Sequence, residues 1–156
     1  MSNRAVPREC PFCAYESRTF PKSRIICETA GAFAFLSNRP ISEGHALVAP
    51  KAHYSDFLST PADTLCEVMN LAQVVGEAVV RATGCPGFTV GINQGRVSAQ
   101  RVFHLHVHIM PRYFDDALPQ WEGHPAGRAE LARGAKRIRD ALAGELQAHQ
   151  DCGADG

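Results

Sequence analysis

Apolar residues along the chain fall into two kinds of run. Short blocks of strand length stand at Arg24–Cys27, Ala32–Leu36, Ala46–Ala49, Thr89–Asn93 and Val102–Met110. Ser37-Asn38-Arg39-Pro40 and Glu43-Gly44 interrupt the early blocks, as turn residues do. Two longer stretches have a helical period instead. Thr60-Pro61 reads as an N-cap followed by proline at the first helical position, with Leu65, Met69, Ala72, Val75 and Val79 on one face until Gly84. Pro125 opens a second helix with Leu131, Ala135, Ile138, Leu142 and Leu146 on one face. Its other face carries Arg128, Arg133, Lys136, Arg137 and Arg139, which reads as a solvated helix surface. Because short turns separate the early strands, the pattern predicts an α+β fold of about five mainly antiparallel strands with two main helices.

A chain of 156 residues suits one domain. We place it at residues 10–148, with a flexible N-terminus over 1–9 and a flexible Gly/Asp-rich tail over 149–156. Lys plus Arg equals Asp plus Glu at 16 each, so no bulk charge draws the chain to a nucleic acid polymer or an anionic membrane. An anionic ligand must therefore be held locally. No apolar run approaches the roughly 20 residues that cross a bilayer, and the first nine residues lack the apolar stretch of a secretion signal. These features predict a cytoplasmic protein with reduced thiols. Of Cys10, Cys13, Cys27, Cys66, Cys85 and Cys152, only Cys10 and Cys13 form a close pair, which is no disulfide framework.

The densest chemistry lies in His104-Leu105-His106-Val107-His108-Ile109-Met110. On a strand, alternation puts the three histidines on one face and Leu105, Val107 and Ile109 on the other. One aligned histidine is ordinarily structural; three need partners and point to function. Two chemistries compete. Imidazoles at i and i+2 can converge on a metal ion, giving a metal-dependent hydrolase. Alternatively, one imidazole attacks phosphorus while its neighbours fix tautomer and charge. Upstream, Gly95 lets backbone approach a ligand, and Asn93, Ser98 and Gln100 offer neutral donors to phosphate oxygens. Gln94 and Arg96 read as an ordinary polar loop.

These residues resemble the histidine-triad (HIT) superfamily of nucleotide hydrolases and transferases. Its hallmark is His-φ-His-φ-His-φ-φ, preceded by Asn-x-Gly and a Gly-Gln element, with an upstream Gly-His-x-Leu-Val-x-Pro-Lys strand. Here they stand as Asn93-Gln94-Gly95, Gln100, His104–Met110 and Gly44-His45-Ala46-Leu47-Val48-Ala49-Pro50-Lys51, the match running from about Cys10 to Arg112. The resemblance implies that His106 is the nucleophile, carrying a nucleoside monophosphate as a covalent phosphoramidate. It implies that His108 and His45 support the α-phosphate beside Asn93 and Gln100. It also implies a small nucleotide substrate, either a nucleoside phosphoramidate or a dinucleoside polyphosphate, and a homodimer. The rival reading is a nucleotide-binding scaffold with little turnover.

Three positions depart from the family pattern. Ala-Gly commonly precedes the glutamine, where this chain has Ser98-Ala99. A Ser or Thr often follows it at the leaving group, where this chain has Arg101, a cation suited to a polyphosphate or sulfate leaving group. The Asp or Asn that binds ribose eight residues before the Gly-His histidine is Ser37 here, with Asn38 beside it.

Cys10-Pro11-Phe12-Cys13 reads as a redox dithiol, a metal site or a coincidence. A redox pair normally sits between a strand and a helix start, unlike this one. Some histidine-triad relatives, and the distantly similar galactose-1-phosphate uridylyltransferases, bind zinc through two such cysteines and two matching histidines. The resemblance thus implies a structural Zn²⁺ on Cys10, Cys13, His53 and His104, since four protein ligands leave no open position. Trp121 is expected either at the active site near a dimer seam or, preferably, beneath the last helix.

Overall fold

A computed structural model of the chain describes residues 10–16, 19–116 and 123–151. Five strands form one sheet: β1 (Ile25–Glu28), β2 (Ala32–Leu36), β3 (Ala46–Pro50), β4 (Gly87–Gly91) and β5 (Val107–Arg112). Their order is β1-β2-β3-β5-β4, and every adjacent pair is antiparallel. Two long helices, α1 (Ala62–Thr83) and α2 (Arg128–Asp151), complete the α+β architecture. Among the described residues no helix is long and apolar enough to cross a membrane.

Alternation along the central strands divides the interior in two. Ala32, Ala34 and Leu36 of β2, Ala46 and Val48 of β3, and Val107 and Ile109 of β5 face the helices. There they meet Val68, Leu71, Val75 and Val79 of α1 and Leu131, Ala135 and Ile138 of α2. The intervening Phe33, Phe35, Leu47 and Ala49 face the opposite way, beneath Phe12, Tyr15 and Phe20 of the N-terminal segment. Phe33 and Phe35 are fully buried and stack with centroids 4.9 Å apart, each burial stabilising by about 1.5–3 kcal/mol. One sheet face thus carries helices, and the other carries the short N-terminal segment and leaves room for a cavity.

Several boundaries differ from the sequence expectation for identifiable reasons. Pro61, not Thr60, occupies the N-cap of α1, and the Thr60 hydroxyl donates 2.7 Å to the Asp56 carbonyl instead. Met69 is exposed, because the buried stripe of α1 runs through Val68, Leu71, Ala72, Val75 and Val79. Gly84 closes the helix in the left-handed region at φ 69°, where a side chain would be strained. α2 starts at Arg128, three residues after Pro125, and runs into the first residues of the expected tail. Its Arg128, Arg133, Lys136 and Arg137 are exposed, whereas Arg139 reaches the Ile25 carbonyl at 2.5 Å. Trp121 and Cys152 lie outside the described residues.

β5 is the largest correction. Its ladder begins at Val107, paired with Val48, so His104 and His106 precede the strand rather than lie on it. Its neighbour β3 ends at Pro50, which has no N–H to extend the ladder. Beyond that point the Leu105 N–H turns to the Tyr54 carbonyl at 2.7 Å.

Candidate active site and metal-ligand cluster

The histidine row serves two neighbouring places. His104 turns to the N-terminal segment, while His106 and His108 face a cavity of about 530 Å³ on the helix-free side of the sheet. That size suits a small organic ligand. Ser37, Asn38, His45, Asn93 and Arg101 also line it. Gly95, Ser98 and Gln100 do not line it; they shape the loop that does.

Backbone partners assign the tautomers. A carbonyl can only accept, so the 2.7 Å contact between His106 Nδ1 and the His104 carbonyl puts the His106 proton on Nδ1. In the neutral ring Nε2 then keeps its lone pair. The Ile41 N–H donates to His45 Nδ1 at 3.2 Å, so the neutral His45 carries its proton on Nε2. That proton is donated to His108 Nδ1 at 3.0 Å, which places the remaining His108 proton on its own Nε2. The rings adjoin: His106 and His108 have centroids 4.8 Å apart, and Phe12 meets His106 edge-on at 5.2 Å.

Burial keeps these rings neutral. It lowers the His45 pKa to about 4, reinforced by His106, and pushes His108 well below the usual histidine range, reinforced by His106 and His45. Burial also lowers His106, partly offset by its bond to the His104 carbonyl. The arrangement is one cavity-lining imidazole with an unprotonated Nε2 beside two neutral imidazoles held in defined tautomers. Such a group can attack an electrophile without first losing a proton.

The surrounding loop is tied from within. Gln100 is buried; its Oε1 accepts from the Gly95 N–H at 2.8 Å and its Nε2 donates to the Ser55 carbonyl at 2.7 Å. Its amide therefore fixes the Gly95–Val102 bend rather than facing the cavity. Gly95 (φ 79°) and Ala99 (φ 62°) both take left-handed conformations in this bend, and Ala99 reaches the cavity wall. Ser98 is exposed at the end of a short 3-10 turn.

Sequence reasoning missed part of the wall. Phe12, Phe20, Arg24, Arg39 and Gly123 all line the cavity. Arg24 heads an apolar run, and a strand reading gives no hint that its guanidinium is buried. The His124 and Ala126 N–H groups donate to the Pro40 and Asn38 carbonyls at 3.2 and 3.0 Å, which brings Gly123 over the Ser37–Pro40 turn.

Cys10, Cys13, His53 and His104 converge beside the cavity, their four ligand atoms all within 4.8 Å of one another. His104 Nδ1 lies 3.4 Å from Cys10 Sγ and 3.5 Å from Cys13 Sγ, and His53 Nδ1 lies 3.2 Å from Cys13 Sγ. A tetrahedral zinc with usual bond lengths spaces sulfur and nitrogen ligands by about 3.6 Å, so the four fit such an ion. His104 is also prepared as a ligand: its Nε2–H donates to the Pro50 carbonyl at 2.8 Å, leaving the Nδ1 lone pair toward the sulfurs. Without a cation the Cys13 thiol is pushed up to about 12 by burial and then by Cys10. Neither His106 nor His108 belongs to this converging group.

Comparison with known proteins gives the fold and the family. A histidine triad protein of Mycobacterium smegmatis, solved with zinc bound, superposes with a TM-score of 0.78 at 30% identity, covering 90% of this chain and 97% of that one. An uncharacterised HIT-like protein of Mycobacterium tuberculosis is 38% identical over 144 residues, 91% of this chain and 99% of the relative. The adenosine 5'-monophosphoramidase of Saccharomyces cerevisiae is 31% identical, covering 86% of this chain and 81% of its own length. The adenylylsulfatase HINT3 of Arabidopsis thaliana is 31% identical, covering 79% of this chain and 61% of its own length. Residues 19–115 match the HIT domain, and the chain belongs to that family, whose members include nucleotide hydrolases.

Proposed function

We propose that the protein is a nucleotidyl hydrolase or transferase acting at the α-phosphate of a nucleotide conjugate through a nucleotidyl-histidine intermediate. The observation that carries this reading is the 2.7 Å bond from His106 Nδ1–H to the His104 carbonyl, which leaves Nε2 free to attack at the cavity wall. In the first step the Nε2 lone pair forms a bond to the α-phosphorus. The bond to the leaving group breaks, and the leaving group keeps the electron pair. Water or another acceptor then attacks phosphorus, the N–P bond breaks, and its pair returns to Nε2 while the acceptor's proton passes to solvent. Two displacements replace one harder one.

His45, His108 and Asn93 lie where a phosphoryl group bound at His106 would need support, and a fixed neutral donor there stabilises oxygens that gain charge. Ser37 and Asn38 also line the wall and would meet the nucleoside. Arg101 favours an anionic leaving group, such as sulfate or a second nucleotide, that departs without a proton. Gly95, Ser98 and Gln100 act indirectly by holding the loop. Cys10, Cys13, His53 and His104 would hold a structural zinc ion, whose charge would keep both sulfurs as thiolates and fasten the N-terminal segment to the approach to β5. Exposed Met69 and Val74 on α1 and Phe88 and Val90 on the edge strand β4 support pairing of two copies.

Turnover of a panel of adenosine and guanosine phosphoramidates, phosphosulfates and dinucleoside polyphosphates tests the reading. At least one should be cleaved at the α-phosphorus, with His106→Ala slower by about 10⁴-fold or more. Binding of nucleotides with no product across the panel would favour the scaffold reading. Loss of activity on chelation, with the fold intact, would favour the metal-dependent hydrolase.

A further inference from the structure

The cavity wall holds more positive charge than one α-phosphate requires. Arg24, Arg39 and Arg101 all line it, while no Asp or Glu does among the described residues. Nor does any of the three guanidinium groups pair with a carboxylate among the described residues. Arg39 and Arg101 are exposed, where solvent screens a charge. Arg24 differs, being only 8% exposed.

Its setting is rigid. The Arg24 Nε donates to the Leu36 carbonyl at 2.8 Å, and Nη2 donates to the same oxygen. The guanidinium lies 5.5 Å from the Phe20 ring centroid and 5.4 Å from that of Phe35. Two of its five N–H groups are thus engaged, and the rest of the fork has no partner among the described residues. A buried cation satisfied by one carbonyl and two ring faces is costly unless an anion joins it.

Position then names the anion. Arg24 is anchored to Leu36, the residue before Ser37, and the Arg39 N–H donates to the Ser37 hydroxyl at 3.2 Å. These three residues form one corner of the cavity, on elements separate from the Asn93–Arg101 loop. The apolar wall beside that corner, Phe12 and Phe20, is where a nucleobase would stack. A carboxylate in place of Ser37 would offset one of the corner's two positive charges; a serine leaves both uncompensated.

Resting on the nucleotidyl-transfer reading above, we propose that the substrate carries a second anionic group on its nucleoside side, a phosphate or sulfate ester on the ribose. Arg24, Arg39 and Ser37 recognise that group, which makes them determinants of specificity. A charge-assisted bidentate contact from a preset guanidinium is the interaction that favours such a group over a hydroxyl.

Calorimetric titration of the unmodified protein tests this, using adenosine 5'-monophosphate, its 2',5'- and 3',5'-bisphosphates, the guanosine counterparts, and ADP to place the extra charge on the opposite side. At least one ribose bisphosphate should bind about tenfold or more tightly than its parent monophosphate, with ADP gaining less. The ratio should collapse toward one in Arg24→Gln. Should that variant fold poorly, Ser37→Asp asks the same question by placing a carboxylate at the corner. Equal binding of monophosphate and bisphosphates by the unmodified protein overturns the inference and leaves the nucleotidyl reading standing. A preference that persists undiminished in both variants also overturns it. Failure of every nucleotide to bind overturns the nucleotidyl reading and this inference together.

Discussion

The His106 side chain donates its Nδ1 proton to the backbone carbonyl of His104, whose own ring lies 3.4 Å from the Cys10 sulfur. One residue therefore belongs to two sites: its imidazole completes the Cys/His cluster and its carbonyl sets the tautomer of the candidate nucleophile. Phe12, between the two cysteines in sequence, extends the link by packing edge-on against both His104 and His106. The cluster consequently underlies the cavity wall that carries His106, although neither His106 nor His108 belongs to it.

Zinc analysis follows from that arrangement. The purified protein is expected to carry about one zinc ion per chain. Cys13→Ser should lose the metal and melt at a lower temperature, and its activity should fall as the wall at Pro11, Phe12 and Phe20 loosens. Atomic absorption and thermal melting read both effects. Metal-free protein that melts at the same temperature as the loaded form would remove the cluster's structural role.

Acid sensitivity should reside in the His45–His108 pair. The neutral His45 is held in place by the Ile41 N–H and by His108, and its pKa falls from 6.5 to about 4 on burial. Between those values the unfolded chain binds a proton that the folded one refuses, so stability rises with pH across the window and is lost as pH falls through it. The effect of this one group is on the order of 3 kcal/mol by pH 4. Urea denaturation at pH 7, 6, 5 and 4 should show a falling midpoint, and His45→Gln should flatten part of the slope. A midpoint constant from pH 7 to pH 4 would contradict the buried neutral pair.

Ala99 occupies a strained position that a glycine would relieve. At φ 62° it is the sole non-glycine with positive φ among the described residues, a conformation that costs about 1–2 kcal/mol for a side chain. Glycine loses part of that advantage through greater freedom in the unfolded chain. Ala99→Gly should thus raise stability by up to about 1 kcal/mol, measured as a rise in the melting temperature. A drop of that size would mean the alanine methyl packs against something more valuable than the backbone strain it imposes.

Much of the sheet was legible because alternation and turn residues mark strands that pack on both faces. β2 and β3 agree closely with their apolar blocks, since Ala32–Leu36 and Ala46–Pro50 are buried throughout. The Cys/His cluster was legible only through the family resemblance, since Cys13 and His53 are 40 residues apart in sequence. What alternation could not convey was where a ladder stops. His104 and His106 look like strand residues by pattern, yet Pro50 ends the partner strand and the chain turns to Tyr54. By residue type Gln100 reads as a donor to phosphate, yet its amide bonds to the backbone groups of Gly95 and Ser55. Arg24 was illegible for a related reason, since its burial depends on Phe20, Phe35 and the Leu36 carbonyl meeting in space.

Single-turnover trapping tests the central claim most directly. The protein is mixed in excess with a cleavable nucleotide conjugate, quenched in base to preserve an N–P bond, digested and sequenced by mass spectrometry. The account predicts one nucleoside monophosphate on His106, forming and decaying at rates compatible with turnover, and absent from His106→Ala. Cleavage that proceeds with no adduct at any time, or an adduct that survives the loss of His106, would contradict it.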